Sequence, residues 1–298
     1  MKELKGAFTA LVTPMKENGD VDYDGFRRLI NFQLEQGIDG LLPLGTTGET
    51  STLTGDEAEK LIRIAVDEVR KNAGSDFPLM IGTGSNDTRC MLEYTKRAKD
   101  MGADFAMVVT PYYNKPNDDG LLRHFEAAAS VGIPIVVYNI AGRTARNIPT
   151  ALLEKIAVIP GIIGVKESSG DITQMSEVLE KIARKRPDFK VLAGDDGFIL
   201  PLMAMGGNGA ISVIANLVPA RIKALVKTCL EGNFEEARNI HFELTPLIRT
   251  AFIETNPVPI KQAMTWAGLP GGPCRLPLGK LDPKNEEPVR AVLKKLGL

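Results

Sequence analysis

Eight times along this chain a short, β-rich apolar run gives way to a segment patterned for a helix, and that repetition constrains the fold most. The runs are Gly6–Val12, Gly40–Leu44, Pro78–Gly82, Phe105–Val109, Pro134–Tyr138, Ile162–Lys166, Lys190–Ala193 and Gly209–Val213. Their starts lie roughly 20–40 residues apart, the length of one strand plus a crossover helix. In the intervening segments, Thr54 followed by Glu57 is a capping box that leads into Leu61, Ile62, Ala65 and Val69. Met175, Val178, Leu179 and Ile182 likewise recur at helical spacing as one apolar stripe. Strands apolar at nearly every position, alternating with helices, predict a parallel sheet covered by helices. Eight such units favour closure into an α/β (β/α)8 TIM barrel over an open doubly wound sheet. A dinucleotide fold is disfavoured further: no GxGxxG follows the first run, and Gly82-Thr83-Gly84 lacks the third glycine and an acidic partner.

The barrel account uses residues 1–225. Beyond it, Phe234, Ala237, Ile240, His241 and Leu244 repeat with helical spacing, followed by a proline-rich stretch at Pro270–Pro283. Residues 226–298 therefore read as a C-terminal helical appendage packed on the barrel. The 298-residue length suits this division, since a barrel of this kind takes about 250 residues.

Composition narrows the chemistry. Lysine and arginine total 36 against 37 aspartates and glutamates, so there is no basic excess to hold nucleic acid or an anionic membrane. The three cysteines, Cys90, Cys229 and Cys274, are far apart and form no CxxC pair, which predicts reduced thiols in the cytoplasm. His124 and His241 stand alone without zinc-ligand spacing, and no metal or cofactor is expected. Met1–Phe8 has no apolar signal-like core, and runs such as Ile133–Val137 are too short to span a bilayer.

Barrel active sites lie at the C-terminal ends of the strands, so the residues there carry the functional question. Alternation puts Ile162, Gly164 and Lys166 on one face of the sixth strand, with Gly164 leaving room beside the lysine. It also groups Pro134, Val136 and Tyr138 on the fifth, and Leu42, Leu44 and Thr46 on the second. If those faces point inward, a lysine, a tyrosine and a threonine converge at one mouth. The apolar neighbours of Lys166 would desolvate its ammonium and lower its pKa. A neutral amine there can form a Schiff base with a ketone and then act as an electron sink. The plainer alternative is a lysine whose head merely reaches solvent at the strand edge. Tyr138 could relay protons or simply be a core aromatic.

Weaker signals surround these. Gly45-Thr46-Thr47-Gly48-Glu49 could hold a carboxylate through hydroxyls and amides, or be an ordinary turn. Arg143 has the planar fork that grips carboxylates, though a loop arginine is often only solvated. Tyr112 and Tyr113 place two aromatics in the loop after the fourth run, as a contact surface or as packing. Asp196 or Asp195 reads as a helix cap, in preference to a pair of metal ligands.

Taken together, these residues resemble the dihydrodipicolinate synthase / N-acetylneuraminate lyase family of class I aldolases. The likeness runs from Val12-Thr13-Pro14 through GTTGE at 45–49, VTPYYNKP at 109–116, YNIAGRT at 138–144, GVKES at 164–168, GDD at 194–196, GAISV at 209–213 and ETNPVPIK at 254–261. The resemblance implies a (β/α)8 barrel with a C-terminal helical domain, assembled as a homotetramer built from a dimer of dimers. It implies Lys166 as the Schiff-base lysine for pyruvate, with Tyr138 above it. Thr46 and Thr47 would hold the pyruvate carboxylate, Thr46 also joining a proton relay. Tyr113 would complete that relay in a neighbouring subunit, and Gly194 and Ile211 would line the pocket. Arg143 and the doubled threonine favour the synthase branch, which condenses pyruvate with L-aspartate 4-semialdehyde to 4-hydroxy-tetrahydrodipicolinate. The alternative is a 2-keto-3-deoxy sugar acid aldolase or N-acetylneuraminate-type pyruvate lyase.

Two departures from the family pattern stand out. Ala141 and Ala145 replace a frequent proline and glycine, so Arg143 could be aimed differently. Lysine-inhibited members carry histidines and a glutamate where this chain has Gly55, Ala58 and Cys90, although Tyr112 and Asn86 remain. Feedback inhibition by lysine is therefore expected to be weak or absent.

Overall fold

The computed structural model describes residues 2–298. Its eight strands are β1 (Gly6–Ala10), β2 (Gly40–Leu42), β3 (Met80–Gly82), β4 (Phe105–Val109), β5 (Ile135–Asn139), β6 (Ile162–Glu167), β7 (Lys190–Ala193) and β8 (Gly209–Ser212). All pair in parallel, in the order β2-β1-β8-β7-β6-β5-β4-β3. The ring closes between β2 and β3 through one parallel bridge, Leu41 to Leu79. Leu41 N donates to Pro78 O at 3.3 Å there, and Gly82 N to Pro43 O at 3.0 Å. The sheet is thus a barrel, as the eightfold repeat predicts, and closure removes its unpaired edges.

Helices wrap the outside: α1 (Tyr23–Glu35), α2 (Gly55–Asn72), α3 (Thr88–Asp100), α4 (Asp118–Ser130), the short α5 (Ala141–Thr144), α6 (Thr150–Ala157), α7 (Ile172–Val178), α8 (Ile199–Ala204) and α9 (Pro219–Leu230). Short polar residues start several of them by accepting from backbone N–H groups that the helix leaves free. Asp87, Asn117 and Asp171 do so, and Thr54 forms the expected reciprocal box with Glu57 at the start of α2. The stripe Met175, Val178, Leu179 and Ile182 is buried throughout. Its helix widens after Val178 into a π-helical turn, Leu179–Ala183, which the periodicity did not anticipate. After α9 come α10 (Phe234–Ala251), α11 (Val258–Trp266) and α12 (Pro283–Leu296). No helix among the described residues is long and apolar enough to cross a membrane.

Strand alternation divides the apolar side chains into two compartments. One fills the barrel: Leu4, Phe8, Ala10, Leu42, Met80, Phe105, Met107, Val136, Tyr138, Ile163, Leu192 and Ile211. The other, larger one lies between the strands and the helices, and includes Leu11, Leu41, Ile81, Val137, Ile162, Val165 and Val191. Tyr138 and Val136 face inward, as the alternation requires.

The same division corrects two details of that reading. Ile162 sits in the outer layer while Ile163 faces the interior, because the register between β5 and β6 shifts near Ile135/Val136. The irregularity moves one residue across without disturbing the pairing of Tyr138 with Lys166. On β2, regular pairing stops at Leu42; Leu44 adopts a left-handed backbone (φ 59°) and packs in the outer layer. Leu42, Leu44 and Thr46 therefore do not share a face.

Candidate active site

The C-terminal ends of β5 and β6 bring the two central side chains together. Tyr138 and Lys166 are register partners on adjacent strands, and Lys166 Nζ lies 4.1 Å from the Tyr138 ring centroid. Lys166 is only 4% exposed, yet its ammonium-bearing atom makes no hydrogen bond and no ion pair among the described residues. Buried lysines are ordinarily paired, so a lysine set against the face of a tyrosine ring is unusual.

Room beside this lysine comes from Gly194, at the end of β7. A Cβ there would lie 2.8 Å from both Cγ and Cε of Lys166 and 1.9 Å from Ser168 Oγ. Gly164, expected to supply that space, instead admits the Lys190 carbonyl, which a Cβ would meet at 2.4 Å. Ile211 is buried in the barrel interior on β8, paired in register with Phe8 of β1.

A cleft of about 290 Å³ opens at this end of the barrel, lined by Thr46, Gly84, Tyr112, Tyr138, Arg143 and Thr144 among others. Tyr113 is not among its lining residues. It is 89% exposed and held in a left-handed conformation (φ 73°), a costly arrangement for a bulky aromatic. A second cleft of about 170 Å³ adjoins the first and shares Leu44, Thr50, Ser51, Gly82, Gly84 and Tyr112 with it. Gly55 and Ala58 line this second cleft together with Arg97 and Tyr94, whereas Cys90 does not.

The loop after β2 carries the threonines. Thr46 O accepts from Glu49 N at 3.1 Å, and Gly45 O from Gly48 N at 3.1 Å, which folds GTTGE into a tight turn. Thr47 is buried, and its Oγ1 accepts from Asn256 Nδ2 at 3.0 Å. Asn256 also joins the arginine loop, since its carbonyl accepts from Arg143 Nη2 at 3.0 Å. Asn256 Oδ1 is buried without a hydrogen-bond partner among the described residues. This asparagine was legible only as part of the ETNPVPIK stretch; nothing local marked it as the link between Thr47 and Arg143. Ala145 ends α5 in a left-handed conformation (φ 56°), a geometry that glycine adopts more easily.

Three carboxylates brace the rim, two of them, Asp196 and Glu167, buried. Asp195 caps the turn before α8, accepting from Gly197 N at 2.8 Å, as expected of a cap. Asp196 does something else: its Oδ2 accepts from Val213 N (3.0 Å) and Ile214 N (3.1 Å), pinning the chain as it leaves β8. Burial pushes its carboxyl up to about 6. Behind Lys166, on the opposite face of β6, Glu167 is buried among Ser169 N, Asn139 Nδ2 and Gln174 Nε2. Burial raises its pKa, and those donors oppose the rise.

The arrangement supplies a buried amine, a phenol against it, hydroxyls on a rigid turn and a guanidinium at the mouth. That set suits covalent chemistry on a keto acid. Comparison with known proteins agrees. A sequence profile of the dihydrodipicolinate synthetase family matches residues 3–296. A 4-hydroxy-tetrahydrodipicolinate synthase of Protochlamydia amoebophila is 48% identical over 294 residues, covering 98% of this chain and 97% of its own. One from Nitratidesulfovibrio vulgaris is 45% identical, with 99% of both chains covered. The crystal structure of dihydrodipicolinate synthase from Aquifex aeolicus superimposes with a TM-score of 0.94 at 43% identity, again over 99% of both chains. The chain belongs to the dihydrodipicolinate synthetase family.

Proposed function

We infer that this protein is a lyase of the Schiff-base aldolase type, a 4-hydroxy-tetrahydrodipicolinate synthase acting in the route to diaminopimelate and lysine. The observation that carries the reading is Lys166: buried at the barrel mouth, without a hydrogen-bond partner among the described residues, and set against the Tyr138 ring. The Lys166 amine attacks the keto carbon of pyruvate, and loss of water leaves an imine. Loss of a proton from the methyl carbon gives the enamine, with the imine nitrogen as electron sink. The enamine carbon then bonds to the aldehyde carbon of L-aspartate 4-semialdehyde, whose oxygen takes a proton. Finally the amino group of the semialdehyde displaces Lys166 from the former keto carbon, closing the ring and freeing the enzyme.

In this reading Thr46 and Thr47 hold the pyruvate carboxylate, and Arg143 takes that of the semialdehyde. Tyr138, Thr46 and Tyr113 pass protons between the intermediates and solvent, while Gly194 and Ile211 shape the pocket. Tyr113 works in the site of a neighbouring subunit, so the functional unit is at least a dimer, assembled into a cytoplasmic homotetramer. Its exposure and left-handed backbone support that role. The catalytic barrel spans residues 1–225 and the helical region 226–298, the boundary falling within α9. The second cleft, with Gly55 and Ala58 on its wall, leaves feedback by lysine weak or absent.

Borohydride reduction in the presence of pyruvate, followed by peptide mass mapping, tests the chemistry. A pyruvyl adduct on Lys166 is expected, and its absence would refute the mechanism. Turnover of aspartate semialdehyde that collapses in Arg143→Ala separates the synthase from a sugar acid aldolase, which would tolerate the change. Mixing inactive Lys166→Ala and Tyr113→Phe subunits should restore about a quarter of the sites through hybrid dimers. No recovery would remove Tyr113 from the neighbour's site.

A further inference from the structure

A second buried lysine lies in the helical region. Lys261, on α11, and Glu49, at the end of the GTTGE turn, form an ion pair at 2.6 Å with both side chains 1% exposed. Lys261 Nζ also donates to Thr13 O (3.0 Å) and Pro273 O (2.7 Å), so all its protons are engaged. The other oxygen of Glu49 accepts from Arg275 N at 2.8 Å. Arg275 in turn grips Glu57 through two nitrogens and reaches Gly19 O and Thr52 O. Thr13 Oγ1 donates to Gly48 O at 2.7 Å, completing a cage around the turn.

The cage encloses the segment that presents Thr46 and Thr47. Glu49 itself is left-handed (φ 53°), and its N–H closes the turn on Thr46 O. Five residues before Lys261, Asn256 holds the Thr47 hydroxyl and the Arg143 guanidinium. One stretch of the helical region therefore meets both carboxylate-binding loops, one following β2 and the other β5.

We propose that Glu49 and Lys261 are positioning residues: they set the angle of the Thr46–Thr47 turn and so the affinity of the site for the pyruvate carboxylate. The pair touches no reacting atom. A buried pair is a weak source of net stability, but it fixes geometry, because each partner is costly to leave alone. This rests on the reading of Lys166 as the imine-forming residue, and the test keeps the two separable.

The full-length enzyme is titrated with pyruvate under borohydride, measuring the pyruvate concentration that gives half-maximal adduct on Lys166. Native protein that forms no adduct refutes the Schiff-base reading itself. If it forms one, Lys261→Met should raise the half-saturating concentration tenfold or more while the final adduct per folded subunit stays the same. Glu49→Gln, which keeps a hydrogen bond to Lys261, should raise it at least threefold, and it decides the matter if Lys261→Met does not melt cooperatively. A folded variant whose half-saturation rises less than threefold, whatever its melting temperature, overturns the proposal.

Discussion

The molecule buries two lysines in opposite ways. Lys166 lies inside the barrel with a tyrosine face beside it and no acceptor among the described residues, whereas Lys261 lies between barrel and helical region with a carboxylate and two carbonyls around it. The paired lysine is spent: every proton is held and its position is fixed. The unpaired lysine is left available, and the protein accepts the desolvation cost of that availability. Burial alone thus separates nothing; the acceptors around each nitrogen tell structure from chemistry.

Substituting each lysine should invert the consequences. Lys166→Met is expected to cut turnover by at least about 10³-fold. It should also leave thermal stability within about 1 kcal/mol of native, since no partner is orphaned. Steady-state assay and calorimetry on the same sample check both halves. Lys261→Met should cost about 3–5 kcal/mol of stability by stranding the Glu49 carboxylate, and Glu49→Gln/Lys261→Met should recover part of it. A Lys166 variant as destabilised as the Lys261 variant would break the contrast.

Two smaller effects sharpen it. The Arg275 guanidinium holds the Glu57 carboxyl down at about 2. A folded-state value below the unfolded one adds stability above pH 4.5, which is lost as pH falls toward 2. Denaturant melts of native and Glu57→Gln protein should therefore converge over that range, with a difference of about 1–2 kcal/mol after solvent screening. Thr54→Ala, which removes the other half of the same capping box, should cost about 1 kcal/mol and leave pyruvate affinity unchanged.

Much of this was legible in the sequence because it is periodic. The eight runs are short and apolar on both faces, as strands buried on both sides must be, and the capping box at Thr54 marks α2 to the residue. Tyr138 followed from alternation along β5, and Lys166 from alternation along β6 beyond its register shift. Alternation failed where the strand did: at the register shift beside Ile163, and at Leu44, where the backbone turns left-handed. The least legible parts were links between distant segments. Asn256 meets Thr47 across 209 positions, and Lys261 meets Glu49 across 212. No spacing rule connects such pairs; only the way the helical region folds back on the barrel does.

The closure between β2 and β3 has a consequence for motion. Every other seam of the barrel is a ladder of paired residues, and this one is a single bridge at Leu41 and Leu79. Local opening should therefore begin there, with β2 amides exchanging with solvent ahead of those in β5 and β6. The GTTGE turn hangs from that loosest slat. What steadies it against such breathing is the anchorage at its far end, in a region that follows the whole barrel in sequence. During synthesis the GTTGE turn would stay loose until the last fifty or so residues emerge, so a truncated chain could close its barrel and still leave this turn unanchored.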